Sequence, residues 1–237
     1  MNSACGSEEK LLVLNWMRYI DYSYVAQNAN RNHVVTTYTS HYDCCGLKTL
    51  DAAIPTAEPT LNAPVFKDGI DTDGYSASYL INQSFGLLQI TIPKAYVDAN
   101  ADINVYTTFE GIDNAGEKLG TVTYNLNKST DTTTVDGVEC YYFRITTSAG
   151  VYNVNAIHNI TIEVGGEVVG TVQYSLAKYI YTMNAKYGTY VLDTETGVYT
   201  ESTETKDSYD YIMQLAMSLS LYGESVYNYK VTPVVTE

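Results

Sequence analysis

The sequence predicts a mainly β fold with helices: an immunoglobulin-like antiparallel β-sandwich packed with an N-terminal and a C-terminal helical segment. Three observations predict it. Apolar residues alternate with period two between about residues 76 and 174, and they recur at three- and four-residue steps on either side of that region. The apolar share of the chain is carried largely by Val, Ile and above all Tyr, of which there are 24 in 237 residues. Such side chains suit a pleated, half-buried surface better than a helical bundle. This length is enough to bury a real core, as one large domain or as a medium domain with an appendage.

The elements follow in order. From Glu8 to about Asn28, Val13, Met17, Ile20 and Tyr24 recur at steps of four, three and four, and Leu12, Trp16 and Tyr19 widen the stripe. Ser7 serves as N-cap, and Glu8 and Glu9 suit the helix N-terminus. Residues 1–30 are therefore expected to form an amphipathic helix with that stripe as its apolar face. Residues 31–70 lose periodicity, and Pro55, Pro59 and Pro64 stiffen them into an irregular linker. Residues 71–174 form the expected sandwich. Its strands are a segment near Ser76 to Ile81, then Leu88/Ile90/Ile92, Ile103/Val105/Thr107/Phe109, Val122/Tyr124/Leu126, Tyr141/Phe143/Ile145 and Ile160/Ile162/Val164. Gly165-Gly166 then turns the chain into a seventh strand, Glu167 to Tyr174.

Beyond Tyr174 the period becomes helical, and residues 175–237 are expected to form a C-terminal helical segment. Leu176, Tyr179, Ile180 and Met183 share one helical face, and a hairpin-like excursion follows at Tyr190–Leu192 and Val198–Thr200. After Asp207, Ile212, Leu215, Leu219, Tyr222, Val226 and Tyr229 step three, four, three, four, three. Such a seam needs a partner, either the N-terminal helix or the 175–186 segment.

These segments resemble a module that recurs in large secreted and cell-surface proteins of gut Gram-positive anaerobes. The resemblance rests on YSLAKYIYTMNA (Tyr174 to Ala185), on the closing pattern Leu219, Tyr222, Gly223 and Tyr229, on SASYLINQSFGLLQITIP, and on LLVLNWMRYIDYSYVAQNA before it. It implies an uncharacterised building block set beside anchoring, immunoglobulin-like or glycan-degrading domains, hence an extracellular or cell-surface location. Its motifs are packing residues, so it speaks to architecture more than to function.

Thirteen Lys and Arg against 27 Asp and Glu leave a net charge of −14. That balance repels polyphosphate backbones and anionic lipid, so neither nucleic acid nor membrane insertion is expected. The chain has no apolar run of about 18 residues, and its first ten residues lack the apolar core of a signal peptide. A cytosolic protein and a segment of a longer secreted chain both fit, and the helix signal starting at Ser7 favours the second. The expected partners are neighbouring domains of the same polypeptide, and glycans or host and bacterial surface proteins.

Catalytic signatures are missing from the sequence: there is no G-x-S-x-G, H-E-x-x-H or phosphate loop. The chain is therefore expected to be no enzyme and to need no cofactor. His33, His41, Cys44 and Cys45 could supply zinc ligands, but adjacent cysteines break the usual spacing. A disulfide from Cys44 or Cys45 to Cys5 or Cys140 competes with free, partly buried thiols. Asp98, Asn100 and Asp102 match the first donor positions of a calcium loop, yet Ile103 stands where the turn glycine belongs and Phe109 where the bidentate Glu belongs. His158 reads as structural. If Val105 and Phe143 point inward, Tyr106, Tyr142 and Arg144 point outward, and this trio is the candidate glycan-stacking patch. Ordinary cross-strand pairing on a wet sheet is the plainer reading of the same residues. The expected role is a non-catalytic structural or adhesive module, with a carbohydrate-binding module attached to a glycan-degrading enzyme as the alternative.

Overall fold

The computed structural model describes residues 8–27, 47–81, 86–145, 150–187, 190–201 and 210–231. Eight strands lie in its main sheet: β1 (Val65–Phe66), β2 (Ser76–Ile81), β3 (Gly86–Pro93), β4 (Ile103–Ile112), β5 (Lys118–Val135), β6 (Val138–Ile145), β7 (His158–Val164) and β8 (Glu167–Tyr174). Their order is β1-β8-β7-β4-β5-β6-β3-β2, antiparallel throughout. A separate hairpin pairs β9 (Tyr190–Asp193) with β10 (Val198–Glu201). The helices are α1 (Glu8–Gln27), α2 (Lys94–Ala99), α3 (Leu176–Tyr187) and α4 (Asp210–Val231). The protein is mainly β with helices, as the periodicity predicts. Hydrogen bonding runs unbroken across the sheet through β5.

That strand is 18 residues long, a span of roughly 60 Å at about 3.3 Å per residue. Its first half pairs with β4, from Lys118↔Ile112 to Asn125↔Tyr106, and the next residue, Leu126, is already paired with Ile145 of β6. A bulge between Lys128 and Thr132 then bends it further. Two tight turns close hairpins of the sheet. Gly165-Gly166 joins β7 to β8 with φ of 60° and 81°, and Asp136-Gly137 joins β5 to β6 with φ of 50° and 85°. Both have the paired positive φ values that a two-residue hairpin matched to strand twist requires.

The sheet curls until its edges meet through rings. Phe66 on β1 lies 4.8 Å from Tyr75, just ahead of β2, and Tyr79 on β2 lies 6.0 Å from Tyr174 and 6.5 Å from His158. Inside the curl, Leu88, Ile90, Ile92, Val105, Phe143, Ile160 and Ile162 are buried in one cluster with Leu176 and Ile180 of α3 and Met213, Leu215, Met217 and Leu219 of α4. The sheet edges are managed in two ways: β1 is two residues long, and β2 is flanked by α3 and α4.

The predicted seam of α4 finds both candidate partners, since α4 packs on α1 and on α3. Leu215, Leu219 and Val226 are buried, whereas Tyr229 at its end is exposed. For α1 the structure corrects the sequence reading. Val13, Trp16, Ile20 and Tyr24 are between 43% and 47% exposed, while Asn15, Arg18, Tyr19 and Ser23 are buried. The polar side wins because its groups are bonded. The Arg18 guanidinium donates to Lys48 O at 2.6 Å and to Asn15 Oδ1, Asn15 donates to Ser225 Oγ, and Tyr19 stacks on Tyr222 at 5.8 Å. A buried cation is tolerable only when hydrogen bonds replace its hydration. No described helix is long and apolar enough to cross a membrane.

Two further elements were not expected. β1 lies inside the predicted linker and pairs with β8, and α2 follows β3 without a break. The linker packs at points: Leu47 and Ile54 are buried, and Pro55 O accepts from Tyr199 Oη at 3.0 Å, while most of residues 56–69 are exposed.

Helix α4 crosses the 3-10 turn at Val151–Asn153 so closely that a Cβ on Gly223 would sit 2.3 Å from Val154 Cγ1 and 2.8 Å from Val151 O. We therefore expect Gly223→Ala to destabilise the protein in urea unfolding by an amount at or above the upper end of the roughly 1–3 kcal/mol typical of overpacking. Gly166→Ala meets nothing within 4 Å and carries only the cost of φ 81°, about 1–2 kcal/mol. Equal losses for the two variants would contradict this ordering.

Candidate functional site

Burial of Val105 and Phe143 does put Tyr106, Tyr142 and Arg144 on the opposite face of their strands. Their positions differ, however. Tyr142 and Arg144 sit together on β6, while Tyr106 sits on β4 with β5 between them. Each is already engaged. The Arg144 guanidinium lies 4.4 Å from the Tyr142 ring centre, a cation–π distance, and donates to Gln89 Oε1 at 2.9 Å, Asp131 Oδ2 at 3.0 Å and Ser129 Oγ at 3.2 Å. Tyr106 Oη donates to Glu163 Oε1 at 2.8 Å, and this bond pushes the phenol pKa up. The trio therefore makes one arginine-covered ring and one tethered phenol.

The calcium-like loop is also spoken for. Asp98 closes α2 in an ion pair with Lys94, one turn back, which holds its carboxyl below the usual range. Asn100 donates its amide to Tyr96 O at 2.7 Å. Among the described residues no three His, Cys, Asp or Glu side chains are grouped to hold a metal ion. His33, His41, Cys44, Cys45 and Cys5 lie outside the described residues, and Cys140 is a buried free thiol.

His158 opens β7 beneath the aromatic closure. Its ring is 4.8 Å from Phe109, and Nδ1 lies 3.4 Å from Thr107 Oγ1. Burial pushes its pKa down to about 4, so it is neutral at pH 7. Burial likewise pushes Tyr79 and Tyr174 up, with each tyrosine's neighbouring phenol adding to the shift. Tyr79 Oη finds no hydrogen-bond partner among the described residues.

Two clefts open among the described residues, and sequence reasoning found neither. The first opens where β4 and β5 part, because Ile103–Val105 lies beyond the paired stretch of β5. It has a volume of about 300 Å³, with Asn100, Asn104, Asn125, Asn127 and Lys128 around Val105. The second, of about 260 Å³, lies between the 150–156 turn and α4, lined by Glu110, Tyr152, Asn155, Glu224 and Tyr227 among others. Its frame is fixed by hydrogen bonds. Asn153 brackets Ile112 by accepting from its N–H and donating to its carbonyl, both at 3.0 Å, and Asn155 and Ser220 bond reciprocally at 2.9 Å. No motif could have announced it, since Tyr152 and Tyr227 are brought together only by the crossing of α4 over the turn.

Compared with known proteins, the chain matches no family model, no curated protein and no solved structure.

Two outcomes follow from His158 and Tyr79. The His158 pKa is lower folded than unfolded, where it is about 6.5, so the unfolded chain binds the proton more readily and stability falls as pH drops from 6.5 towards 4. The full effect is about 3 kcal/mol. Unfolding of a His158→Phe variant followed across that window should show a flatter pH profile than wild type. Tyr79→Phe removes an unpaired buried hydroxyl, and its denaturation midpoint should stay level or rise by up to about 1 kcal/mol in stability.

Proposed function

We propose that this chain is a non-catalytic structural or adhesive module of a larger bacterial cell-surface or secreted protein, working in the extracellular space beside neighbouring domains of the same polypeptide. The observation that carries the proposal is the fastening of the helices, across long stretches of sequence, to a hairpin tip of the sheet and to the segment that precedes β1. Lys230 at the end of α4 donates to the carbonyl and side-chain oxygens of Asn114, at the tip of the β4–β5 hairpin. Lys48 reaches Glu224 at 2.6 Å, and Lys178 of α3 pairs with Glu58. Each such pair contributes little alone, about 0–1 kcal/mol at the surface. Together they favour a body that holds its shape. The finer architectural reading, an immunoglobulin-like sandwich whose facing layers share β5, goes with this role.

A second reading, a carbohydrate-binding module attached to a glycan-degrading enzyme, is favoured by the tyrosine-lined cleft. Partners under either reading are domains of the same chain, and glycans or surface proteins of host or bacterium.

The structural role predicts one cooperative unit. Trp16, the only tryptophan, reports on α1, while far-UV circular dichroism reports on the whole chain, and the two urea transitions should share a midpoint. Separate transitions would break the proposal. On a glycan array, retention abolished by Tyr142→Ala would sink the purely structural form.

A further inference from the structure

We propose that the cleft between the 150–156 turn and α4 is a binding subsite for one neutral pyranose ring of a glycan, with Tyr152 and Tyr227 as its walls. The inference rests on the adhesive form of the role proposed above.

Tyr152 is a fixed wall. A Cβ on Gly150 would lie 2.4 Å from Tyr152 Cζ, so the phenol occupies space that only glycine leaves, and the Lys230 ammonium lies 4.9 Å from the same ring. With Gly150 and Lys230 against it, Tyr152 bounds the cleft as a preorganised wall, and the stacking face is left to Tyr227. Tyr227 is the adaptable wall: it stands on α4 and is 38% exposed. Aromatic walls with a few convergent polar groups are the usual make-up of a small-ligand site. Here those groups are the Glu110 and Glu224 carboxylates and the Asn155 amide.

Charge narrows the ligand class. Glu110 accepts one hydrogen bond from Thr121 at 2.7 Å, and Glu224 accepts one from Lys48 at 2.6 Å. Each carboxylate has capacity for more acceptor contacts, which sugar hydroxyls can fill. The same carboxylates repel uronates, sialates and sulfated sugars. A cationic guest would meet two resident ammonium groups, Lys48 paired with Glu224 and Lys230 over the Tyr152 ring, which offset the attraction of the carboxylates. At about 260 Å³ the cleft falls just below the roughly 300–1,000 Å³ of pockets that enclose drug-sized ligands, which suits a single ring.

The test is an NMR titration of the whole chain with cellotetraose, chitotetraose and mannotetraose, with tetragalacturonate and tetramethylammonium as charged controls. At least one neutral oligosaccharide should move the Tyr152 and Tyr227 resonances, with affinity at least about tenfold weaker in Tyr227→Ala and within about threefold of wild type in Tyr227→Phe. Tyr227→Ala should keep the wild-type melting curve, since the side chain is largely outside the core. The inference fails if none of the neutral sugars moves these signals, if binding survives Tyr227→Ala, or if either charged control binds the cleft more tightly. Failure here alongside a single shared unfolding transition leaves the structural module standing. Split transitions overturn that module whatever the sugars do.

Discussion

The fold depends on the handover of one strand between two neighbours. β5 gives its first half to β4 and its second half to β6, and the change falls between the adjacent residues Asn125 and Leu126. Here the two partners pair with successive stretches of the strand, and a bulge between Lys128 and Thr132 lies in the second of them. The strand bends, the sheet curls with it, and the inward faces of β3, β4, β6 and β7 converge on a shared interior. The asparagine-rimmed cleft is the other product of this bend, since the start of β4 is left without β5 beside it. Ring contacts at Phe66, Tyr75, Tyr79 and Tyr174 then bring the free edges together where no backbone ladder does.

Much of the sheet was legible because apolar and polar residues alternate along its central strands, even in β3, where Gln89 and Thr91 are buried too. Leu88 to Ile92, Val105 to Phe109 and Ile160 to Ile162 alternate cleanly, and Gly165-Gly166 marks its hairpin without ambiguity. The second half of β5 was not legible. Lys128 to Thr134 is polar on both faces, so alternation vanishes although the ladder continues, and the Asp136-Gly137 turn signal was passed over with it. β1 is too short to carry any pattern. For α1 the failure is of a different kind: apolar residues line one side and a bonded polar set lines another, and hydropathy ranks the apolar side first. Only the partners Lys48, Ser225 and Tyr222 decide the matter, and they are remote in sequence. Facing directions of Tyr106, Tyr142 and Arg144 followed correctly from Val105 and Phe143. Their neighbours did not, because cross-strand distance and side-chain bonding are properties of register.

Five of the thirteen bases of this acidic chain make long-range joins. Arg18, Lys48, Lys67, Lys178 and Lys230 each reach a group at least 30 residues away, across element boundaries. Arg144 instead ties β6 to β3 and to the β5 bulge. With a net charge of −14, acidic groups are available at almost any place where a base could be set. The placement of the few bases therefore chooses which surfaces of the molecule are held together.

Helices α1 and α4 are antiparallel, as Asn15 beside Ser225 and Tyr19 beside Tyr222 require, so residues 8 and 231 lie at the same end of the pair. In the larger polypeptide proposed above, tension would enter at one pole. It would pull on the α1–α4 contacts one after another, as a zipper opens, and on the Lys230 tie to the tip of the β4–β5 hairpin. Strand-built domains that are gripped at opposite poles resist by shearing many hydrogen bonds at once. A chain held at one pole in this way would hang beside the line of force instead of lying along it.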